Sequence, residues 1–140
     1  MENIRRYIDV NIFVYWLGNH PIFGQKAYEW VKKIDNAPRG TFVTATLSIY
    51  EIAVILAGFT GTTLKNKKFM EQVINAITSL RGLVLEPITY EEVLSAYKLM
   101  NEYDLDYEDA LHLSVAFKVN AKEIISNDSD FDKLPIPRIF

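Results

Sequence analysis

Hydrophobic positions along the chain fall into short continuous runs and longer stretches of helical spacing, in alternation. Ile4 to Ile8 reads as a first strand. Asp9 and Asn11 follow it, and the spacing of Ile12, Phe13, Trp16 and Leu17 predicts a short helix, which Gly18-Asn19-His20-Pro21 breaks. Ala27, Tyr28, Val31 and Ile34 predict a helix from about 23 to 34, and the turn cluster Asn36 to Gly40 ends it. The β-branched run Thr41 to Ala45 is a second strand. A helix from Leu47 to Gly58 follows, with Ile49, Ile52, Ala53 and Leu56 on one face and Gly58 and Gly61 as its stop.

The remainder repeats the pattern. A polar connection carrying Lys65, Lys67 and Lys68 leads into a helix from about 67 to 80, and Arg81-Gly82 closes it. Leu83 to Leu85 is a third, continuously apolar strand, stopped by Pro87. Thr89-x-x-Glu92 has capping-box spacing and opens a helix running to Met100. The acidic turn Asp104 to Asp106 precedes a helix from Tyr107 to Val119. Glu123 to Ser126 is a fourth strand, Asn127 to Asp132 a polar segment with one helical turn at most, and Ile136 to Phe140 a last strand that Pro135 and Pro137 assign to an edge. Short strands alternating with helices imply crossover connections. The expected fold is one α/β domain over residues 1–140, a three-layer α/β/α sandwich around a mainly parallel sheet of four to five strands.

The bulk properties narrow the class. A chain of 140 residues, 49% apolar and 24% charged, buries about two-thirds of its unfolded surface as one domain. Its apolar runs are too interrupted for a membrane span, and Met1 to Arg6 carries no secretory pattern. Without cysteine there are no disulfides, thiolate metal sites or cysteine nucleophiles, which fits the cytoplasm. A net charge of −3 argues against a general polyanion-binding coat. It leaves room for a nuclease whose acids are neutralised by a bound cation.

Four acids open or end structural elements: Asp9 after the first strand, Glu51 in the first turn after the second, Asp109 in the first turn of the helix from Tyr107, and Asp128 after the fourth strand. Strand C-termini and the following helix N-termini share one edge of an open parallel sheet, so Asp9, Glu51 and Asp128 converge there. Asp109 joins them only if its helix leans its start into the same crevice. Each acid also has a structural explanation. Ser48-x-x-Glu51 has capping-box spacing, Asp106-x-x-Asp109 has N-cap spacing, and Asp9 or Asn11 and Asp128 are capping residues for the turns they precede. Gathered in one crevice, however, two carboxylates about 4 Å apart repel by roughly 4 kcal/mol at an effective dielectric of about 20. Such a set raises its own pKa values or takes up a cation. Oxygen ligands with few histidines suit Mg²⁺ or Mn²⁺ rather than zinc, and a divalent ion in an acidic crevice suits phosphodiester hydrolysis.

Other chemistries lack their residues. There is no HExxH, P-loop or GxGxxG, and Asp9-Val10-Asn11 lacks the second acid of a DxD phosphatase. His112, flanked by Ala110, Leu111 and Leu113, reads as a packing or surface residue, and His20 lies in a turn. Lys65, Lys67 and Lys68 read as a solvated helix entrance and are also candidates for contact with a nucleic-acid backbone near the crevice. Phe13, Tyr15, Trp16, Phe23, Tyr28 and Trp30 read as core rather than base-stacking platforms, and their density leaves room for an apolar groove that takes a subunit or a partner helix.

The segments Tyr7-Ile8-Asp9-Val10-Asn11-Ile12, Ser48-Ile49-Tyr50-Glu51-Ile52, Asp106 to His112 and Ser126-Asn127-Asp128-Ser129-Asp130-Phe131, in this order and spacing, resemble a PIN domain, in particular the small ribonuclease toxins of the VapC type. The resemblance covers nearly the whole chain. It implies an endoribonuclease dependent on Mg²⁺ or Mn²⁺. Asp9 would be the central ligand, Asp109 and Asp128 would complete the site, and Glu51 would bind metal or position the water. Asn11 and Ser126, the latter where the family commonly has Thr, would support the site by hydrogen bonding, and Asp130 would be an auxiliary acid. It further implies a homodimer and a small antitoxin whose C-terminal segment blocks the groove. Three readings stand beside the toxin: a PIN-like RNA- or protein-binding module, a housekeeping RNA-processing nuclease, and a receiver-like phospho-acceptor, for which Lys133 is the one candidate lysine.

Overall fold

Alternation along the central strand builds the layers. In the computed structural model, which describes residues 4–140, β1 (Arg6–Ile8) buries Tyr7 on one face and Ile8 on the other. The expectation of no secretory pattern rests in part on residues 1–3, which lie outside the described ones. Next come α1 (Val10–Leu17), α2 (Gly24–Asp35), β2 (Phe42–Ala45), α3 (Leu47–Thr60), α4 (Lys67–Thr78), β3 (Leu83–Glu86), α5 (Tyr90–Tyr103), α6 (Tyr107–Lys118), β4 (Glu123–Ile125), a 3-10 turn (Ser129–Lys133) and β5 (Arg138–Ile139).

All strand pairings are parallel, in the order β3-β2-β1-β4-β5. Tyr7 pairs with Val43 and Ile124, and Ile8 with Ile125. Ile8, Phe42, Leu83 and Ile125 pack under α1 to α4. Tyr7, Val43, Ala45 and Ile124 pack under α5 and α6. The result is the three-layer sandwich, with β1 central and buried on both faces as parallel sheets require.

Element limits differ from the sequence expectation where a local signal is weak. Ile4 and Arg5 stay outside β1, and β5 is only two residues long. Gly58 does not stop α3. The helix continues to Thr60 and ends at Gly61, whose φ of 72° takes the left-handed position for which glycine is suited. Helix α5 runs three residues past Met100 and ends on Asp104, also left-handed at φ 54°.

Candidate active site

Asp9 leaves β1 with extended backbone and caps α1, its Oδ1 accepting from the Val10 N–H at 2.8 Å. Its Oδ2 accepts from the Ser126 hydroxyl at 2.6 Å. The residue is 8% exposed. Burial pushes its carboxyl above the usual range, against the lowering effects of His112 and of the Ser126 bond. Ser126, fully buried after β4, also accepts from the Asp128 N–H at 2.9 Å and from Asn11 Nδ2 at 3.3 Å. One donated and two accepted bonds fill the capacity of a hydroxyl. Asp9, Asn11 and Asp128 are thus gathered around a single buried oxygen.

Asp109, Asp128 and Asp130 each present a carboxylate oxygen, and these three atoms lie within 4.8 Å of one another. Caps place them. Asp106 accepts from the Asp109 N–H at 2.8 Å and sets the first turn of α6. Asp128 accepts from the Asp130 N–H at 2.9 Å and opens the 3-10 turn. Burial pushes Asp109 up to about 7, reinforced by Asp106, Asp128 and Asp9. Asp9 stands beside this group rather than within its 4.8 Å span, while Asp130 stands inside it. Asp109 arrives because α6 packs antiparallel to α5: Ser114 donates to the Glu92 carbonyl and Lys118 reaches Glu92, so the start of α6 lies at the far end of α5.

Glu51 is not the N3 partner of a capping Ser48. Thr46 takes the cap position with helical backbone and no side-chain bond, and Ser48 is buried against the Thr44 hydroxyl at 2.6 Å. Glu51 instead accepts through Oε1 from His112 Nε2 at 2.6 Å. His112 is 3% exposed, and its Nδ1 meets the Tyr7 hydroxyl at 2.5 Å. Burial opposes the charged imidazolium, but Glu51, Asp9 and Asp109 outweigh it and hold His112 above its usual pKa. Glu108 lies next to Glu51, and desolvation together with that neighbour pushes its carboxyl up. The sequence reading missed His112 and Tyr7. The available signal was the i, i+3 spacing of Asp109 and His112, which places both on one side of α6.

Lys65, Lys67 and Lys68 are exposed in the α3–α4 connection and the first turn of α4. Glu51 lies in the first turns of α3, and the nine residues from it to Thr60 rise about 14 Å along the helix. Among the described residues, no ion pair joins these lysines to the acids, and none joins any lysine or arginine to Asp109, Asp128 or Asp130.

A buried carboxylate, three clustered carboxylates and a buried imidazole bonded to a fifth thus share one region. The PIN domain profile matches residues 6–137. The chain belongs to the PIN-domain family. No curated protein sequence matches this PIN domain. Among solved structures it is similar to a toxin–antitoxin complex from Klebsiella pneumoniae, at 16% identity and a TM-score of 0.70 over 96% of each chain. It is similar to VapC20 of Mycobacterium tuberculosis, a toxin that cleaves the sarcin–ricin loop, at 14% identity and a TM-score of 0.75 over 94% of this chain and 95% of that one. It is also similar to VapBC2 of Rickettsia felis bound to a DNA fragment from its promoter, at 17% identity and a TM-score of 0.69 over 97% and 98%. This PIN domain therefore has the fold of VapC toxins.

Proposed function

We propose that this PIN domain is a divalent-metal-dependent endoribonuclease and the toxin of a toxin–antitoxin pair. The observation that carries the reading is the grouping of Asp109, Asp128 and Asp130 within 4.8 Å beside buried Asp9. The donor set consists of carboxylate oxygens, and among the described residues no protein cation pairs with the three clustered acids. That set fits Mg²⁺ or Mn²⁺. Asp9, Asp109 and Asp128 would hold the ion, with Asp130 and Glu51 as further oxygen donors. When bound, such an ion supplies charge neutralisation for a phosphodiester and acidifies water for in-line attack.

The chain's own residues then do the positioning. Ser126 holds Asp9 and the backbone of Asp128 in one geometry, with Asn11 as its second partner. Glu51 either joins the oxygen donors or positions the water. Lys65, Lys67 and Lys68 contact the RNA backbone beyond the acids. The structural neighbours described as toxin–antitoxin assemblies support an antitoxin partner. The exposed stripe Tyr90, Val93, Leu94 and Tyr97 on α5 supports a homodimer. The protein works in the cytoplasm, where its RNA is. Among the described residues no helix is long and apolar enough to cross a membrane.

Cleavage of a mixed structured RNA pool with Mn²⁺, Mg²⁺ or EDTA tests the reading, with Asp9→Asn and Asp109→Asn beside the wild type. Metal-dependent cleavage by the wild type alone supports it. Equal cleavage by all three proteins exposes a contaminating nuclease. A wild type that neither cuts RNA nor binds Mn²⁺ by calorimetry sinks the catalytic reading in favour of a binding module.

A further inference from the structure

We propose that His112, clamped by the Tyr7 hydroxyl, is the positioning residue of Glu51, fixing that carboxylate in one orientation beside Glu108. The inference rests on the nuclease reading for its consequence and on geometry for its substance. Four elements meet in one line of hydrogen bonds. The Ala45 N–H of β2 donates to the Tyr7 hydroxyl at 3.1 Å. That hydroxyl, on β1, meets His112 Nδ1 on α6, and His112 Nε2 meets Glu51 Oε1 on α3. An ionised carboxylate only accepts, so Nε2 carries the hydrogen whether the ring is neutral or charged. The ring nitrogen facing Glu51 is therefore a donor in both charge states.

A histidine serving only the core would end its bonds on backbone or on other buried groups. This one ends on a carboxylate that is 12% exposed. That carboxylate borders an open cavity of about 160 Å³ lined by Tyr50, Val54, Ile55 and Glu108. One long acidic side chain on the first turns of a helix has several rotamers, and a buried donor at 2.6 Å selects one of them. His112 lies three residues after Asp109, so α6 carries both a member of the acid cluster and the holder of Glu51. A shift of that helix moves both together.

Four variants of the full chain test this: His112→Gln, His112→Leu, Glu51→Gln, and the double variant Glu51→Gln with His112→Leu. Glutamine keeps an N–H near the Nε2 position, whereas leucine keeps only bulk. In Mn²⁺, His112→Leu should lose about tenfold or more in kcat with little change in KM, and His112→Gln should recover most of it. In the Glu51→Gln background, His112→Leu should cost less than about twofold more, because its effect passes through Glu51. Multiplying losses, or wild-type rates in His112→Leu, overturn the proposal. A readout independent of activity is the ring ¹⁵N spectrum of the metal-free protein. It should show a protonated Nε2 whose signal moves in Glu51→Gln. An unprotonated Nε2, or a signal indifferent to Glu51→Gln, overturns the proposal even if RNA is cut. If the wild type cuts no RNA, the nuclease reading falls and the ring spectrum still decides whether His112 holds Glu51.

Discussion

The Ser126 hydroxyl donates to Asp9 Oδ2 at 2.6 Å and thereby ties the ends of β1 and β4, adjacent parallel strands, into one unit. Removing it affects three partners at once, because the same oxygen accepts from Asn11 and from the Asp128 backbone. Ser126→Ala should cost about 1–3 kcal/mol of stability and about 10- to 100-fold in metal affinity or cleavage. Ser126→Thr keeps the hydroxyl and should retain the site, provided the buried pocket takes a methyl. Urea unfolding and Mn²⁺ calorimetry on both variants check this. Equal loss in the two would mean that the hydroxyl is not what matters.

The metal-free protein should lose stability as pH rises from 5 to 8. Asp109 sits at about 7 in the fold against 3.8 in a free side chain. Its protonated form is therefore favoured by folding, and its contribution is full below about pH 4 and lost as pH rises through 7. Asp9 and His112, both raised, act in the same direction. Glu92, lowered to about 2, contributes above its ordinary pKa and weakens only in acid below this window. Thermal melts in EDTA should show the decline in the wild type and a smaller one in Asp109→Asn. The variant should melt higher than the wild type at pH 8, and a lower melting temperature there would defeat the assignment.

Glu92 anchors the start of α5. Its Oε1 accepts from the Thr89 N–H at 2.9 Å, the Thr89 hydroxyl at 2.8 Å and Lys118 Nζ at 2.9 Å. Glu92→Ala should destabilise by about 1–2 kcal/mol, mostly through the lost cap, since the partly exposed Lys118 pair is screened. Denaturant midpoints measure it. Lys118→Met should cost clearly less than Glu92→Ala, and the reverse order would shift the weight to the ion pair.

Gly82 permits a close crossing. A Cβ there would lie 2.3 Å from the Ile34 carbonyl oxygen and 2.9 Å from Ala37 Cβ. The Gly82 N–H bonds that same carbonyl at 3.0 Å, and its own carbonyl accepts from Gly40 and Phe42. Gly82→Ala should cost about 1–3 kcal/mol by forcing the end of α2 away from β3. A melting temperature equal to the wild type would show that this junction yields without cost.

The sequence exposed what depends on local period and local chemistry. The four longer strands and six helices follow from short apolar runs and helical spacing, the cap at Asp106 from its i, i+3 spacing to Asp109, and the cap at Asp128 from its place before the last turn. PIN-family membership was legible in the four acidic segments. What escaped depends on distant partners. Glu51 looked like half of a capping box because its true partner, His112, is 61 positions away on another helix. Tyr7 stood only as a residue of the first strand, because nothing local shows that its hydroxyl faces that histidine. The approach of Asp109 followed from the antiparallel packing of α5 and α6, which no single segment encodes.

The strand order has a consequence for the order of synthesis. β1 emerges before β4, with which it pairs on one side, and the hydroxyl that holds Asp9 comes 117 positions later. A nascent chain that has reached the end of α5 possesses none of Asp109, Asp128 and Asp130. Parallel pairing over such separations is slow to form. A growing polypeptide of this design holds no assembled carboxylate site while most of it is still being made.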